Sequence, residues 1–283
     1  MTAGGSSRMS PPAAILRQHD PDRFRFALFA PPENRDALFT LYAFNHEVAK
    51  TRESVSESMI GAIRLQWWRE SIEGIYAGTP RQHEVVLPLA ECVAAYNLPR
   101  TQFDALIDAR ERDLDDRPMA DIEDAERYLR ATTEPLVELS ALILDSDGAA
   151  ETDGLADIAA GQALVGKLRA TAHLEAHRRP FFPRALLEKH GGSPRDFSEL
   201  KADEGARAAV RELAEHARTL AARGLSKAGN RKRVAPLLLP ARQARSRIQT
   251  LRRAGYDPFA ESFVRSDPLD VWRFWLASLI GRY

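Results

Sequence analysis

Apolar positions recur three and four residues apart along almost the whole chain, the period of a helix that buries one face. Positions Leu38, Leu41, Tyr42, Asn45, Val48 and Ala49 form one such set, with Asn34 placed to cap it. Ile60, Ile63, Leu65, Trp67, Trp68, Ile72 and Ile75 form the next, in a helix expected over 57–76 and closed by a turn at Ala77–Pro80. The same pattern predicts helices over 84–96, 101–114, 121–130, 133–145, 153–172, 203–225, 234–252 and 268–281. Their joints fall at Pro80, Pro99, Pro118, Gly148, Pro194 and Pro258. No stretch alternates with the period of a strand, and no internal repeat is found. Helices this numerous must pack around a shared core. The class is therefore all-α, with a flexible tail over residues 1–18 and one helical domain over 19–283. Trp67 and Trp68 cannot both point to one side, which leaves room for one to edge a cavity or the surface, with core packing the expected role. Gly166 lies inside a long helix; it either admits another backbone or weakens the helix by about 1 kcal/mol.

Composition changes this picture little. The 283 residues are 44% hydrophobic and 28% charged, an ordinary globular balance. No apolar run is long enough to span a membrane, and the first residues lack the uninterrupted apolar core of a secretory signal. The single Cys92 excludes an internal disulfide and any multi-cysteine metal site, which fits a reducing, cytoplasmic setting. Charge adds more. Net charge is zero, yet Asp104 to Asp157 holds 17 acids against 5 bases, and Arg207 to Arg253 holds 13 bases against 2 acids. Either the chain presents one acidic and one basic surface, to a partner or an anionic membrane face, or the two segments face each other across the fold.

Several clusters imitate metal sites. Asp104–Asp108 and Asp153–Asp157 both spell D-x-x-x-D and read as solvated helix faces. Asp113, Asp115 and Asp116 read as a solvated helix end. His46, His173 and His177 lack a third ligand at fixed spacing and read as ordinary polar contacts. Arg231, Lys232 and Arg233 read as an exposed loop; with no recognisable nucleic-acid motif, no nucleic-acid partner is expected.

The stretch Gly161–Pro183, GQALVGKLRATAHLEAHRRPFFP, reads as a buried helix that leaves its apolar phase at Thr171–His173 and ends in a basic, aromatic exit. Its later part resembles the second aspartate-rich motif of the squalene/phytoene synthase family, L-R-D-x-x-E-D-A-R-R-G-R-x-Y-L-P. Leu168, Arg169, Arg179, Phe181 and Pro183 keep the frame, while Ala170, His173 and Leu174 stand where the acids are expected. Leu41–Glu57, LYAFNHEVAKTRESVSE, is similar to the first motif, L-Y-A-F/W-C-R-x-x-D-D-x-x-D. There the acids fall on Ala49, Lys50 and Glu53, and the diphosphate-side arginine on His46. The resemblance extends over Arg64–Gly78, Asn97–Asp116 and Arg252–Phe259. Within the family it points to the degenerate branch that contains a mitochondrial assembly factor for respiratory complex I, on Ala43-Phe44-Asn45, Ser54-Val55-Ser56-Glu57 and Leu168-Arg169-Ala170-Thr171. The lack of an obvious transit peptide suggests a bacterial relative.

What the resemblance implies is an isoprenoid-synthase-type helical bundle around a central cavity. In active members two acidic helix faces hold Mg²⁺ against a prenyl diphosphate. Here one of six acids survives, Glu53, with Glu47 and Glu175 as displaced neighbours. The implied function is non-catalytic: assembly of respiratory complex I (NADH:quinone oxidoreductase), with complex I subunits or assembly intermediates as partners. A greasy cavity under a basic mouth of His46, Lys50, Arg52, Lys167, Arg169, Arg178 and Arg179 would hold an anionic prenyl or lipid ligand without cofactor. The basic segment Arg207–Arg253 would rest on an anionic inner-membrane face as a peripheral contact. The alternative is a head-to-head prenyl transferase acting on farnesyl or geranylgeranyl diphosphate, which would require Mg²⁺. A third reading is a scaffold with a filled interior.

Overall fold

The computed structural model describes residues 9–51, 58–115, 117–145, 152–228, 234–265, 269–281 and 283. Among them the chain forms fifteen α-helices: α1 Pro11–His19, α2 Pro21–Ala27, α3 Pro32–Ala49, α4 Ser58–Tyr76, α5 Val86–Tyr96, α6 Arg100–Ala109, α7 Ile122–Leu144, α8 Thr152–Arg169, α9 Thr171–Ala176, α10 Arg184–Lys189, α11 Pro194–Ser198, α12 Glu204–Lys227, α13 Ala235–Arg253, α14 Glu261–Val264 and α15 Asp270–Ile280. A 3₁₀ turn, Arg110–Leu114, follows α6, and no strand is present among the described residues. Local chemistry sets the boundaries. Asp20, Asp121, Ser193 and Asp203 each accept a hydrogen bond from a backbone N–H of the first turn of α2, α7, α11 and α12. Pro11, Pro21, Pro32 and Pro194 open helices where a missing N–H costs nothing. Asn97, in the left-handed region at φ 50°, ends α5.

Helix α8 is the centre of the bundle, packed against α7, α12 and α13. Its buried residues include Gly154, Leu155, Ala156, Asp157, Ile158, Ala160, Gly161, Leu164, Val165 and Leu168, a set that surrounds the axis instead of forming a stripe. Contact with α12 is backbone to backbone. A Cβ on Gly161 would lie 2.7 Å from the Ala217 carbonyl oxygen, and one on Gly224 only 2.3 Å from that of Gly154. Gly166 has no such role: nothing lies within 4 Å of its Cβ position. Of the two alternatives for Gly166 the close approach is excluded; in α8 it occurs at Gly161 and Gly154 instead.

Several expectations are corrected. Residues 11–18 are no tail: α1 packs on α3 with Leu16 fully buried, its prolines confined to the first turn where they are tolerated. The break expected near 131–132 does not occur. Helix α7 runs through Pro135 because Leu129, Thr132, Thr133, Leu136, Val137 and Ser140 hold one buried phase on both sides of it. Asn34 lies inside the first turn of α3 and does not cap it; its amide donates to the Ile143 carbonyl at 2.6 Å and ties α3 to the end of α7. Trp68 is buried while Trp67 stays partly exposed, its ring 4.9 Å from Trp68 and under the Arg81 guanidinium. Cys92 is buried, and burial pushes its thiol up to about 12, an inert position.

The two charged segments meet in part across the fold. Asp104 and Asp108 are solvated as expected, paired with Arg100 and Arg69. Asp157 is not: its carboxylate is only 4% exposed and takes Arg130 of α7 at 2.5 Å and Arg223 of α12 at 2.6 Å. Burial opposes its charge, but the Arg223 and Arg130 hydrogen bonds hold the carboxyl down to about 2. His216 and Glu126 add a second link at 2.6 Å between α12 and α7.

These contacts make glycine substitutions diverge. Gly224→Ala raises helix propensity by about 1 kcal/mol but forces α8 and α12 apart, so urea unfolding should show a net loss of about 1–3 kcal/mol. Gly166→Ala should be neutral or stabilising. Equal effects at both positions would contradict the backbone contact.

Candidate functional site

At one end of the bundle α1, α3, α7, α8, α9 and the 3₁₀ turn leave a cavity of about 290 Å³. Helix α3 ends here and supplies His46, Ala49 and Lys50. Helix α8 supplies Lys167, then the chain bends at Ala170 (φ −84°, ψ 0°) and resumes as α9, which supplies His173 and Leu174. Arg178 adopts φ 54°, and the Arg178 and Arg179 amides donate to the Glu175 and Leu174 carbonyls. That left-handed turn folds Arg179, Pro180 and Phe181 back over the cavity. The 3₁₀ turn and the residues after it add Arg110, Arg112, Asp113, Asp115, Arg117 and Met119; α7 adds Tyr128 and α1 adds His19.

Six bases, Lys50, Arg110, Arg112, Arg117, Lys167 and Arg179, thus meet two acids, Asp113 and Asp115. The acids are already engaged. Tyr128 donates its hydroxyl hydrogen to Asp113, and Arg110 donates to Tyr128 Oη at 3.2 Å and to Asp113 at 3.3 Å. Burial and the Asp113 charge push the Tyr128 phenol up, so it stays a donor. Asp115 accepts three hydrogen bonds from Arg117, two from the guanidinium and one from the backbone N–H, which hold its carboxyl down to about 2. The Lys167 ammonium lies 5.7 Å from the Tyr128 ring and 5.3 Å from the Phe181 ring, a cation on two aromatic faces. The Arg179 guanidinium has no ion-pair partner among the described residues. The His19 and His46 rings stack at 5.2 Å, and His173 and His177 approach to 4.1 Å. Among the described residues no three His, Cys, Asp or Glu side chains are grouped to hold a metal ion.

Of the basic residues expected at the mouth, His46, Lys50, Lys167 and Arg179 line the cavity, and Arg52 lies outside the described residues. Arg169 does not line it. Two residues past Lys167, it points to the opposite helix side and pairs with Asp22 at 3.4 Å, beside a separate small cavity. Arg178 is exposed, thrown outward by its own left-handed turn. Of the acids, Glu53 lies outside the described residues. Glu47 pairs with Lys50 away from the lining, and Glu175, on the far side of α9, is buried against Arg184 at 3.1 Å. Asp113 and Asp115 correct the reading of a solvated helix end: both line the cavity, and Asp116 is not described. The greasy interior is also smaller than expected. The apolar space among Phe26, Tyr42, Leu136, Val137, Pro236 and Leu237 amounts to about 50 Å³, because packed side chains fill the bundle. Sequence reading missed His19, Arg110, Arg112, Arg117 and Tyr128. The one available signal was the charge density of RERDLDDRP, which spacing alone assigned to solvent.

The sequence profile described as squalene/phytoene synthase matches residues 16–273. The chain belongs to the squalene/phytoene synthase family. It is 32% identical over 203 residues to human "NADH dehydrogenase (ubiquinone) complex I, assembly factor 6", a match covering 72% of this chain and 61% of the relative's length. It is 27% identical over 191 residues to the presqualene diphosphate synthase of Rhodopseudomonas palustris, covering 66% and 67% of the two chains. A solved dehydrosqualene synthase superposes with TM-score 0.81 at 14% identity, over 96% of both chains, which establishes the isoprenoid-synthase type of bundle. Ala49, Lys50, His173 and Leu174, where the sequence resemblance placed motif acids, line the cavity.

His46 gives the site a measurable signature. Its pKa is lowered, chiefly by burial, with Lys50 adding to the effect. A folded pKa below the unfolded one means stability present above about pH 6.5 and partly lost as pH falls through that value. An NMR titration should place His46 below 6.5, and His46→Gln should shrink the fall in unfolding midpoint between pH 7 and 5. A His46 midpoint at or above 6.5 would sink this account.

Proposed function

We propose that this family member takes part in the assembly of respiratory complex I without catalysing prenyl transfer, and that its basic cavity holds the phosphate-bearing head of an anionic prenyl or lipid molecule. The carrying observation is the lining of that cavity: Ala49, Lys50, His173 and Leu174 at motif positions, within a ring of six bases. The name of the human relative supports the assembly role, although the match spans 61% of that protein. Complex I subunits or assembly intermediates are the partners this reading implies.

The donor chemistry argues against Mg²⁺, which takes oxygen ligands in octahedral array. Among the described residues, Asp113 is bound by Tyr128 and Arg110, Asp115 by Arg117, Glu47 by Lys50 and Glu175 by Arg184. Recruiting any of them would strip an ion pair and bring a divalent cation beside Lys167 and Arg179. An anion needs no such exchange at Arg179, which offers a planar two-point donor and has no ion-pair partner among the described residues. The volume, near the roughly 300 Å³ at which small-molecule sites begin, suits a head group, with any chain running outward past Met119, Leu174, Pro180 and Phe181.

Three experiments decide the matter. Calorimetric titration with farnesyl diphosphate in EDTA should show binding, weakened at least tenfold (about 1.4 kcal/mol) by Lys167→Glu or Arg179→Glu. Incubation with farnesyl or geranylgeranyl diphosphate, Mg²⁺ and NADPH should return the substrate unchanged by mass spectrometry. A squalene- or phytoene-type product above a heat-killed control would install the prenyl-transferase alternative, which the similarity to presqualene diphosphate synthase keeps in view. Deleting the gene from its host should lower the amount of assembled NADH:quinone oxidoreductase, and unchanged levels would overturn the assembly role.

A further inference from the structure

The helix that ends the described chain is amphipathic in reverse. α15 is pinned to the bundle by a narrow strip, Asp270, Phe274 and Ala277, all buried. Asp270 and Arg247 of α13 form an ion pair at 3.1 Å with both side chains at most 4% exposed, and Phe274 packs against Phe26 and Phe29. The rest of the helix faces solvent, and it is apolar: Trp272 is 70% exposed, Trp275 52%, Leu276 50%, Leu279 70% and Ile280 58%. Solvent-facing helix sides normally carry charge; this one carries two indoles and aliphatic side chains, a patch that signals something to be covered.

We infer that this face of α15 inserts into the interfacial layer of an anionic bilayer. Three observations select that occupant. The surface is the convex flank of a single helix, suited to lying in a plane with its apolar side sunk among head groups and upper acyl chains. Its two tryptophans, ring centroids 6.3 Å apart, are the residue type that settles at a membrane–water boundary. The charge beside it is basic. Arg273, on the shoulder of α15, donates to Ser246 of α13 at 3.1 Å, and α13 carries no acid along Ala235–Arg253 while Arg242 and Arg245 lie within one turn of Ser246. Neither of those two arginines has an ion-pair partner among the described residues. The acid on α15, Asp270, is buried under Arg247 and Arg273; on α14 Glu261 is matched by Arg265 at 2.6 Å. No helix among the described residues is long and apolar enough to cross a membrane, so attachment through α15 is along the surface.

The inference stands apart from the ligand assigned to the cavity, whose residues lie elsewhere. The test is co-sedimentation of the full chain with vesicles of phosphatidylglycerol or of phosphatidylcholine, together with its mass in solution. The chain should bind phosphatidylglycerol vesicles at least tenfold more strongly than phosphatidylcholine. Trp272→Glu with Trp275→Glu should abolish binding at unchanged far-ultraviolet circular dichroism, since both side chains are solvent-facing. Arg242→Glu with Arg245→Glu should weaken it severalfold on anionic vesicles only, and Lys167→Glu in the cavity should leave it intact. Vesicle binding that survives the tryptophan substitutions overturns the proposal. So does a chain that ignores vesicles, whether it stays monomeric or forms a dimer that those substitutions split, the latter making the face a contact between two copies.

Discussion

Everything else in the bundle depends on how closely α8 and α12 approach. With Gly154 and Gly161 on one helix facing Ala217 and Gly224 on the other, carbonyl oxygens stand where side chains would. Dispersion between two backbones at this range is a sum of many small terms lost together if the helices separate. The contact also brings Arg223 of α12 over Asp157 of α8, so the salt bridge and the close packing require each other. Because α8 is fixed along its length, its last turn is fixed too, and that turn delivers Lys167 and the bend at Ala170.

The cavity that results is lined by bases together with two acids, Asp113 and Asp115. Its carboxylates are neutralised internally by Arg110, Arg112 and Arg117, and Lys167 lies against the Tyr128 and Phe181 rings. Formal counting of bases therefore misstates what a ligand meets. Three arginines are largely spent on Asp113 and Asp115, whereas the Arg179 guanidinium has no ion-pair partner among the described residues.

How much of this was readable from the chain alone follows from which interactions are local. The long helices and the departure from the helical phase near Thr171–His173 rest on residues a few positions apart, and they were legible. Asp157 was not, because what makes a buried carboxylate tolerable is Arg130 and Arg223, distant in sequence and brought in by packing. The gap expected at 131–132 was wrong for a similar reason: burial of Leu129, Thr132, Thr133 and Leu136 carries α7 through it. His19 and Tyr128 reach the cavity only because α1 folds onto α3 and α7 onto α8, facts of tertiary arrangement that no periodicity encodes.

The cavity walls come from His19 at one extreme and Phe181 at the other, with contributions from α3, the 3₁₀ turn and α7 between them. Such a site is closed by contacts of long sequence separation, the kind that form late when a chain folds. A molecule held there adds its binding energy to the finished arrangement of helices and to nothing short of it. Were the cavity filled, occupancy and completion of the fold would be linked, and a bound molecule would act on stability as well as on the site.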